Sequence, residues 1–195
     1  MADAKATELE RMVWKLHKTV VLVGMMGAGK TAVGKALATI LGVPFLDSDA
    51  EIVSAANMSI AEIFERDGEP FFRARESEVI ARLLEGTPCV LSTGGGAFLA
   101  ERNRQLISQK GISICLQASL DLLWSRVRHK DTRPLLQTPD PYATLQSLYN
   151  ARSGIYALAD ISVQADATYS IEDMGQQVAQ VLRQRPDVLE CKDDA

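Results

Sequence analysis

The chain has 195 residues, enough for one α/β domain and too few for two. Hydrophobic residues make up 47% of it, ample for a core, which excludes a disordered chain. A formal net charge of −4 argues against broad nucleic-acid binding, which carries a basic surplus, and leaves room only for a local basic pocket.

Leu9, Met12, Val13 and Leu16 recur at helical spacing and predict an amphipathic, helical extension over residues 1–17. Thr19 to Val23 is apolar on both faces and reads as a buried parallel strand ending at Gly24. Beyond a glycine-rich turn, Val33, Ala36, Leu37, Ile40 and Leu41 form the apolar face of a helix that Gly42 stops. Pro44 to Leu46 is a second strand, followed by a long helical region from Ile52 to Leu84. Cys89 to Leu91 is a third strand, Leu99 to Gln109 a helix, Ile112 to Leu116 a fourth strand and Leu120 to Val127 a helix. The charged stretch His129 to Asp140 reads as a mobile loop. Leu145 to Tyr156 is helical, Ile161 to Val163 is the last strand, and Ile171 to Leu182 is the closing helix. From Pro186 the chain is polar and expected to fray. Strand and helix alternate throughout, which predicts a doubly wound parallel sheet with ligands at the carboxyl ends of its strands.

Cys89 and Cys115 stand in apolar runs, and with Cys191 they form no CxxC pair, so the expectation is thiols of a reduced, cytoplasmic protein. His17 and His129 are too far apart in sequence to suggest a metal cluster. No run of about 18 apolar residues occurs, and the segment before Lys18 mixes acids with bases. Neither a membrane span nor a signal peptide is expected.

Gly24–Met25–Met26–Gly27–Ala28–Gly29–Lys30–Thr31 fits G-x-x-x-x-G-K-[ST] at every required position. Such a turn folds into a nest of N–H groups that cradles phosphate, with the positive end of the next helix behind it. Gly27, Ala28, Gly29, Lys30, Thr31 and Ala32 are therefore expected to hold ATP. Lys30 reaches the β- and γ-phosphates, and Thr31 offers its hydroxyl to Mg2+. Placed between a buried strand and an amphipathic helix, the motif outweighs a glycine turn that binds nothing.

A phosphate cradle alone does not distinguish a kinase from a GTPase, a motor or an ATP-driven binder. Asp47–Ser48–Asp49 follows the second strand at its ligand-facing end, where two acids can divide labour between hydrated magnesium and a substrate hydroxyl; an acidic helix cap is the plainer reading. Arg73, with Glu76 three residues on, is suited to a bidentate grip on a carboxylate, or to a solvated ion pair. Gly94–Gly95–Gly96 lets the main chain approach a ligand closely, or simply makes a turn. Arg126, Arg128, Lys130 and Arg133 form either a solvated basic stretch or a loop that closes over the triphosphate. Arg152 adds one more guanidinium near the last strand.

Taken in order and spacing, G-x-M-G-A-G-K-T at Gly24 to Thr31, D-S-D at Asp47 to Asp49, F-R-x-x-E at Phe72 to Glu76, G-G-G at Gly94 to Gly96, R-P-L-L at Arg133 to Leu136 and R-x-x-x-Y at Arg152 to Tyr156 resemble shikimate kinases. The likeness runs from about Lys18 to Leu182. It implies a three-layer α/β P-loop kinase fold whose five-stranded parallel sheet has the order 2-3-1-4-5. It also implies a single domain over residues 18–183, with acceptor binding at about 47–80, a lid at about 126–141 and a polar tail over 184–195. The implied reaction moves the γ-phosphoryl group of ATP to the 3-hydroxyl of shikimate, within aromatic amino acid biosynthesis.

In that family's terms Asp49 is the base and acceptor anchor, acting with Lys30 and Arg133, and Asp47 supports one Mg2+ per subunit through water. Arg73, Arg152, Gly94, Gly95 and Gly96 hold shikimate, Glu76 orients Arg73, and Arg126 and Arg133 attend the nucleotide. The implied partners are shikimate and ATP, with no nucleic acid and no membrane, and the implied state is a monomer. Two departures stand out. The segment Asp166 to Ser170 lacks the basic residue the family often has near adenine, and Ser153–Gly154 follows Arg152 where a proline usually stands two residues on. A kinase of another small hydroxy acid such as gluconate, a nucleoside monophosphate kinase and a non-catalytic nucleotide-binding module are the alternatives.

Overall fold

The computed structural model describes residues 13–129 and 134–192. Five strands make one parallel sheet: β2 (Thr19–Val23), β3 (Phe45–Asp47), β4 (Val90–Ser92), β5 (Gly111–Gln117) and β6 (Ile161–Gln164), in the spatial order β3-β4-β2-β5-β6. Counted from β2 this is 2-3-1-4-5, the order the sequence resemblance implies. Every residue of β2 is buried because β4 and β5 flank it and helices cover the sheet. Side chains such as Leu22, Leu91 and Ile114 are buried completely, each worth about 1.5–3 kcal/mol relative to exposure.

Seven helices of the described residues complete the layers: α1 (Lys30–Leu41), α2 (Ser48–Ala56), α3 (Ile60–Leu84), α4 (Glu101–Lys110), α5 (Leu120–Val127), α6 (Pro141–Tyr156) and α7 (Ile171–Leu182). α1 and α7 pack closely where Gly175 leaves room for Ile40 and Ala36. α3 is broken at Gly68, whose φ of 81° and ψ of 170° lie outside the helical region and suit only glycine there. A capping box at Ser59 and Glu62 starts this helix, and another at Ser170 and Asp173 starts α7. Parallel strands and covering helices put every strand's carboxyl end on one edge of the sheet, where the turn after β2, the start of α2 and the loop after β4 meet.

The ends of the described chain depart from expectation. Val13–Leu16 is a strand, β1, not a helix, and it pairs antiparallel with β7 (Leu189–Lys192) in a separate two-stranded ribbon. The expected helix over residues 1–12 lies outside the described residues. Trp14 and Leu16 are buried and Lys15 is exposed, an alternation of period two that the helical spacing of Leu9, Met12, Val13 and Leu16 concealed. The polar tail likewise holds Val188 and Leu189 in the core. Across the ribbon His17 meets Glu190 at 2.9 Å, Lys18 meets Asp187 at 3.0 Å, and Arg183 lies over the Trp14 ring. These charged contacts are exposed and add little, so burial of Trp14, Leu16, Val188 and Leu189 is what holds the ribbon down.

Candidate active site

The turn from Gly24 to Gly29 carries β2 into α1 and lines a cleft of about 440 Å³. Gly27 has a φ of +83°, and a Cβ there would meet the Val127 side chain at 2.7 Å, so the nest needs glycine for its backbone and for its packing on α5. Lys30 donates to the carbonyls of Gly24 and Met25 at 2.8 and 3.1 Å, which folds its ammonium over the turn. Arg126, on the last turn of α5, reaches the carbonyls of Gly27 and Ala28, both at 3.3 Å, and braces the cradle from outside. Ala32 and Thr31 line the cleft at the start of α1.

Opposite the cradle, the first turn of α2 brings in two acids with separate tasks. Asp47 is the helix cap: its Oδ1 accepts from the N–H groups of Asp49 and Ala50. Its Oδ2 accepts the Thr31 hydroxyl at 3.0 Å, and that hydroxyl also lies 3.3 Å from the Ser92 Oγ. Thr31, Asp47 and Ser92 thus converge as hard oxygen donors beside the cradle. No group of three or more His, Cys, Asp or Glu residues is placed to hold a metal among the described residues. A sparse oxygen set of this kind fits Mg2+, which keeps several waters and takes the rest of its shell from phosphates.

Asp49 reaches the cleft one residue beyond the cap. The loop after β4 is built around it and its neighbours, one glycine at a time. A Cβ on Gly94 would stand 2.6 Å from Asp49 Oδ1 and 3.1 Å from Glu76 Oε1; a Cβ on Gly96 would stand 2.5 Å from Arg73 Nη2. The carbonyl of Gly95 accepts the Tyr156 hydroxyl at the end of α6. Gly94 and Gly96 are therefore each required by a different functional group packed against them, while Gly95 has room for a Cβ and contributes its carbonyl.

Arg73 donates from Nη1 to Glu76 at 2.8 Å and from Nε and Nη2 to Glu69 at 3.2 Å, with its guanidinium over the Phe72 ring. Glu76 is 1% exposed, and burial pushes its carboxyl above the ordinary value, opposed by Arg73 and reinforced by the nearby charge of Asp49. A folded-state value raised this way makes the carboxyl's contribution to stability largest below pH 4.5 and takes it away as pH rises through the raised value. Denaturant titrations of the protein and of Glu76→Gln are therefore expected to converge in acid. Toward neutral pH the native protein should lose ground to the variant, and a native protein that instead gains on the variant would contradict the burial argument.

Arg73, Gly96 and Arg152 stand outside the cleft lining and join it through the glycine loop; Arg133 lies outside the described residues. Ser92, Glu69, Tyr169 and Ile171 are among the residues facing the cleft or gripping Arg73 that carry no motif signal. Tyr169 and Ile171 are half-exposed apolar side chains at the cleft mouth, and this is the segment where the sequence lacks a basic residue. The Asp166 to Ser170 stretch that presents them is tightened by Thr168, which donates to Asp166 from both its N–H and its hydroxyl. An apolar tip at the end of a β-to-α turn was the only signal available for them. Cys89 and Cys115 are buried, as their apolar settings predict, and burial pushes the Cys115 thiol up to about 11, with Lys30 opposing.

The model of the family described as shikimate kinase matches residues 26–183. A shikimate kinase of Ruegeria pomeroyi is 71% identical over 175 residues, covering 90% of each chain. One of Cereibacter sphaeroides is 63% identical over 176 residues, 90% of this chain and 88% of its own. Among solved structures, the shikimate kinase from Acinetobacter baumannii in complex with shikimate superposes with a TM-score of 0.81 at 36% identity, over 92% of this chain and 97% of that one. With the family model spanning most of the chain and relatives this similar over nearly its whole length, the chain belongs to the shikimate kinase family.

Proposed function

We propose that this chain transfers the γ-phosphoryl group of ATP to the 3-hydroxyl of shikimate, giving shikimate 3-phosphate and ADP. One observation carries the reading beyond family membership: the phosphate cradle and the Asp49 carboxylate line one cleft, and the glycine loop closing that cleft is packed directly on Asp49, Arg73 and Tyr156. A donor site and an acceptor site share a wall, as phosphoryl transfer by positioning requires.

Gly27 to Ala32 hold the triphosphate, and Lys30 swings from its carbonyl contacts to the phosphates. Arg126 stays close to the nucleotide while bracing the turn. Thr31 and Asp47 would hold Mg2+, with Ser92 beside them; bound there, the ion neutralises phosphate charge. Arg73, held by Glu76 and Glu69, and Arg152 grip the acceptor's carboxylate, so its hydroxyl faces Asp49, which accepts the proton as the hydroxyl attacks. Gly94, Gly95 and Gly96 bring the main chain against the acceptor. Arg133 is assigned to transition-state charge from its sequence match alone.

The monomer that the family resemblance implies is retained as the working unit. Among the described residues no helix is long and apolar enough to cross a membrane. With buried, unpaired thiols at Cys89 and Cys115, that supports action on small molecules in the cytoplasm.

ADP release followed with and without shikimate tests the reaction. Release that depends on shikimate is expected; release indifferent to it, or dependent on gluconate instead, overturns the assignment. Arg73→Ala sharpens the test. Losing a bidentate, charge-assisted grip is expected to raise KM for shikimate about a hundredfold and KM for ATP less than about threefold. Equal rises would remove Arg73 from the acceptor site.

A further inference from the structure

Tyr156 ends α6 with its ring only 4% exposed and its hydroxyl donating to the Gly95 carbonyl, 61 residues away in sequence. Arg152 stands one helical turn earlier on α6, a neighbour of the phenol at i,i+4 spacing. We infer that Tyr156 is a positioning residue whose hydroxyl ties the acceptor loop to α6, so that one bond sets both the Gly95 peptide and the helix that carries Arg152. The inference rests on shikimate being the acceptor and adds a residue to that site.

Gly95 has no side chain with which to orient its own peptide, and its flanking residues Gly94 and Gly96 are equally permissive. A planar trans peptide couples the two ends of the unit, so a Gly95 carbonyl held toward α6 turns the Gly96 N–H the opposite way. Gly96 in turn carries the Arg73 guanidinium on its Cα. The chain of contact runs from α6, which carries Arg152, through the phenol oxygen to Gly95, then through Gly96 to Arg73, and so connects the elements that bear the two arginines assigned to the acceptor carboxylate.

The ring is packed in the core, and the hydroxyl bond adds direction to that packing. With Met25 and Cys115, Tyr156 also walls a second cavity of about 300 Å³ between α6 and the carboxyl ends of β5 and β6. On that side the ring has space, and the hydroxyl bond fixes its orientation there. Burial pushes the phenol up to about 12, with Arg152 opposing, so the hydroxyl remains a donor throughout the neutral range.

Tyr156→Phe keeps the ring and removes only the joining oxygen. Expected is a KM for shikimate about tenfold higher, with KM for ATP and kcat each within about twofold, the scale of one hydrogen bond. In an Arg152→Ala background the same change should raise KM for shikimate by only about threefold, because just the Gly95 and Arg73 side of the connection is left to lose. Calorimetric ADP binding is the folding control, expected to be unaltered in Tyr156→Phe while shikimate binding weakens. Loss of both bindings together, equal rises in both KM values, or effects that multiply fully in the double variant would each overturn the inference. An unsubstituted protein showing no shikimate-dependent ADP release would instead overturn the assigned reaction. Release that depends on shikimate, with any of the other three contrary results, removes Tyr156 alone.

Discussion

Asp49→Asn is expected to lower kcat about a thousandfold while nucleotide binding stays intact, a loss in the range of about 10²- to 10⁴-fold that a positioned base contributes. Asparagine matches the carboxylate in shape, so the packing against Gly94 survives and only charge and basicity go. Asp47, not Asp49, makes the cap that starts α2, and the helix should therefore remain in place. That separation of tasks makes the experiment clean. Steady-state assays at saturating ATP and shikimate measure it, and turnover near the native rate would remove Asp49 both as base and as acceptor anchor.

Gly94→Ala is expected to cost about a hundredfold in kcat without disturbing a single charged side chain by substitution. The new methyl would lie 2.6 Å from Asp49 Oδ1 and 3.1 Å from Glu76 Oε1, distances that require something to move. What moves is either the loop or the carboxylate, and a displacement of about 1 Å at a reacting group is enough for a hundredfold loss. Gly154→Ala is the control: it lies on α6 with nothing within 4 Å of a Cβ, and should stabilise the helix by about 0.5–1 kcal/mol and change activity hardly at all. If the two alanines behaved alike, close packing at Gly94 would not be what aligns Asp49.

Much of this site is readable in the chain because its parts are local. The phosphate cradle occupies eight consecutive residues whose glycines, lysine and threonine have separate physical duties, and its setting between an apolar strand and an amphipathic helix is read from side-chain periodicity. Leu120–Val127 and Ile171–Leu182 form helices over the expected residues for the same reason, since their apolar faces and caps lie within one segment. The strand order came from the family resemblance, while the residues themselves offered Asp49 and Arg73 for an acceptor only beside plainer readings that the resemblance then outweighed.

What stayed hidden depends on contacts between distant segments. β1 and β7 have four residues each and lie at opposite ends of the described chain, so neither segment carries enough alternation to announce a partner. Asp47 and Asp49 look equivalent in sequence until the backbone shows which one faces the exposed N–H groups of α2. Ser92 ends a buried strand and becomes a site residue only because β4 sits between β3 and β2, beside Thr31. Glu69 reads as one more acid next to a glycine, yet the break at Gly68 restarts the helix so that Glu69 and Arg73 share a face. Tyr156 closes a five-residue motif in sequence, whereas its partner Gly95 is given by the fold.

The most direct test of a shared wall between donor and acceptor is a calorimetric titration of shikimate into the protein with Mg2+ and ADP bound. Saturable binding at one site per chain is expected, and Arg73→Ala should abolish most of it without releasing the nucleotide. Tight ADP binding with no heat from shikimate, whether nucleotide is present or absent, would contradict the arrangement of Asp49, Arg73 and the cradle around a single acceptor.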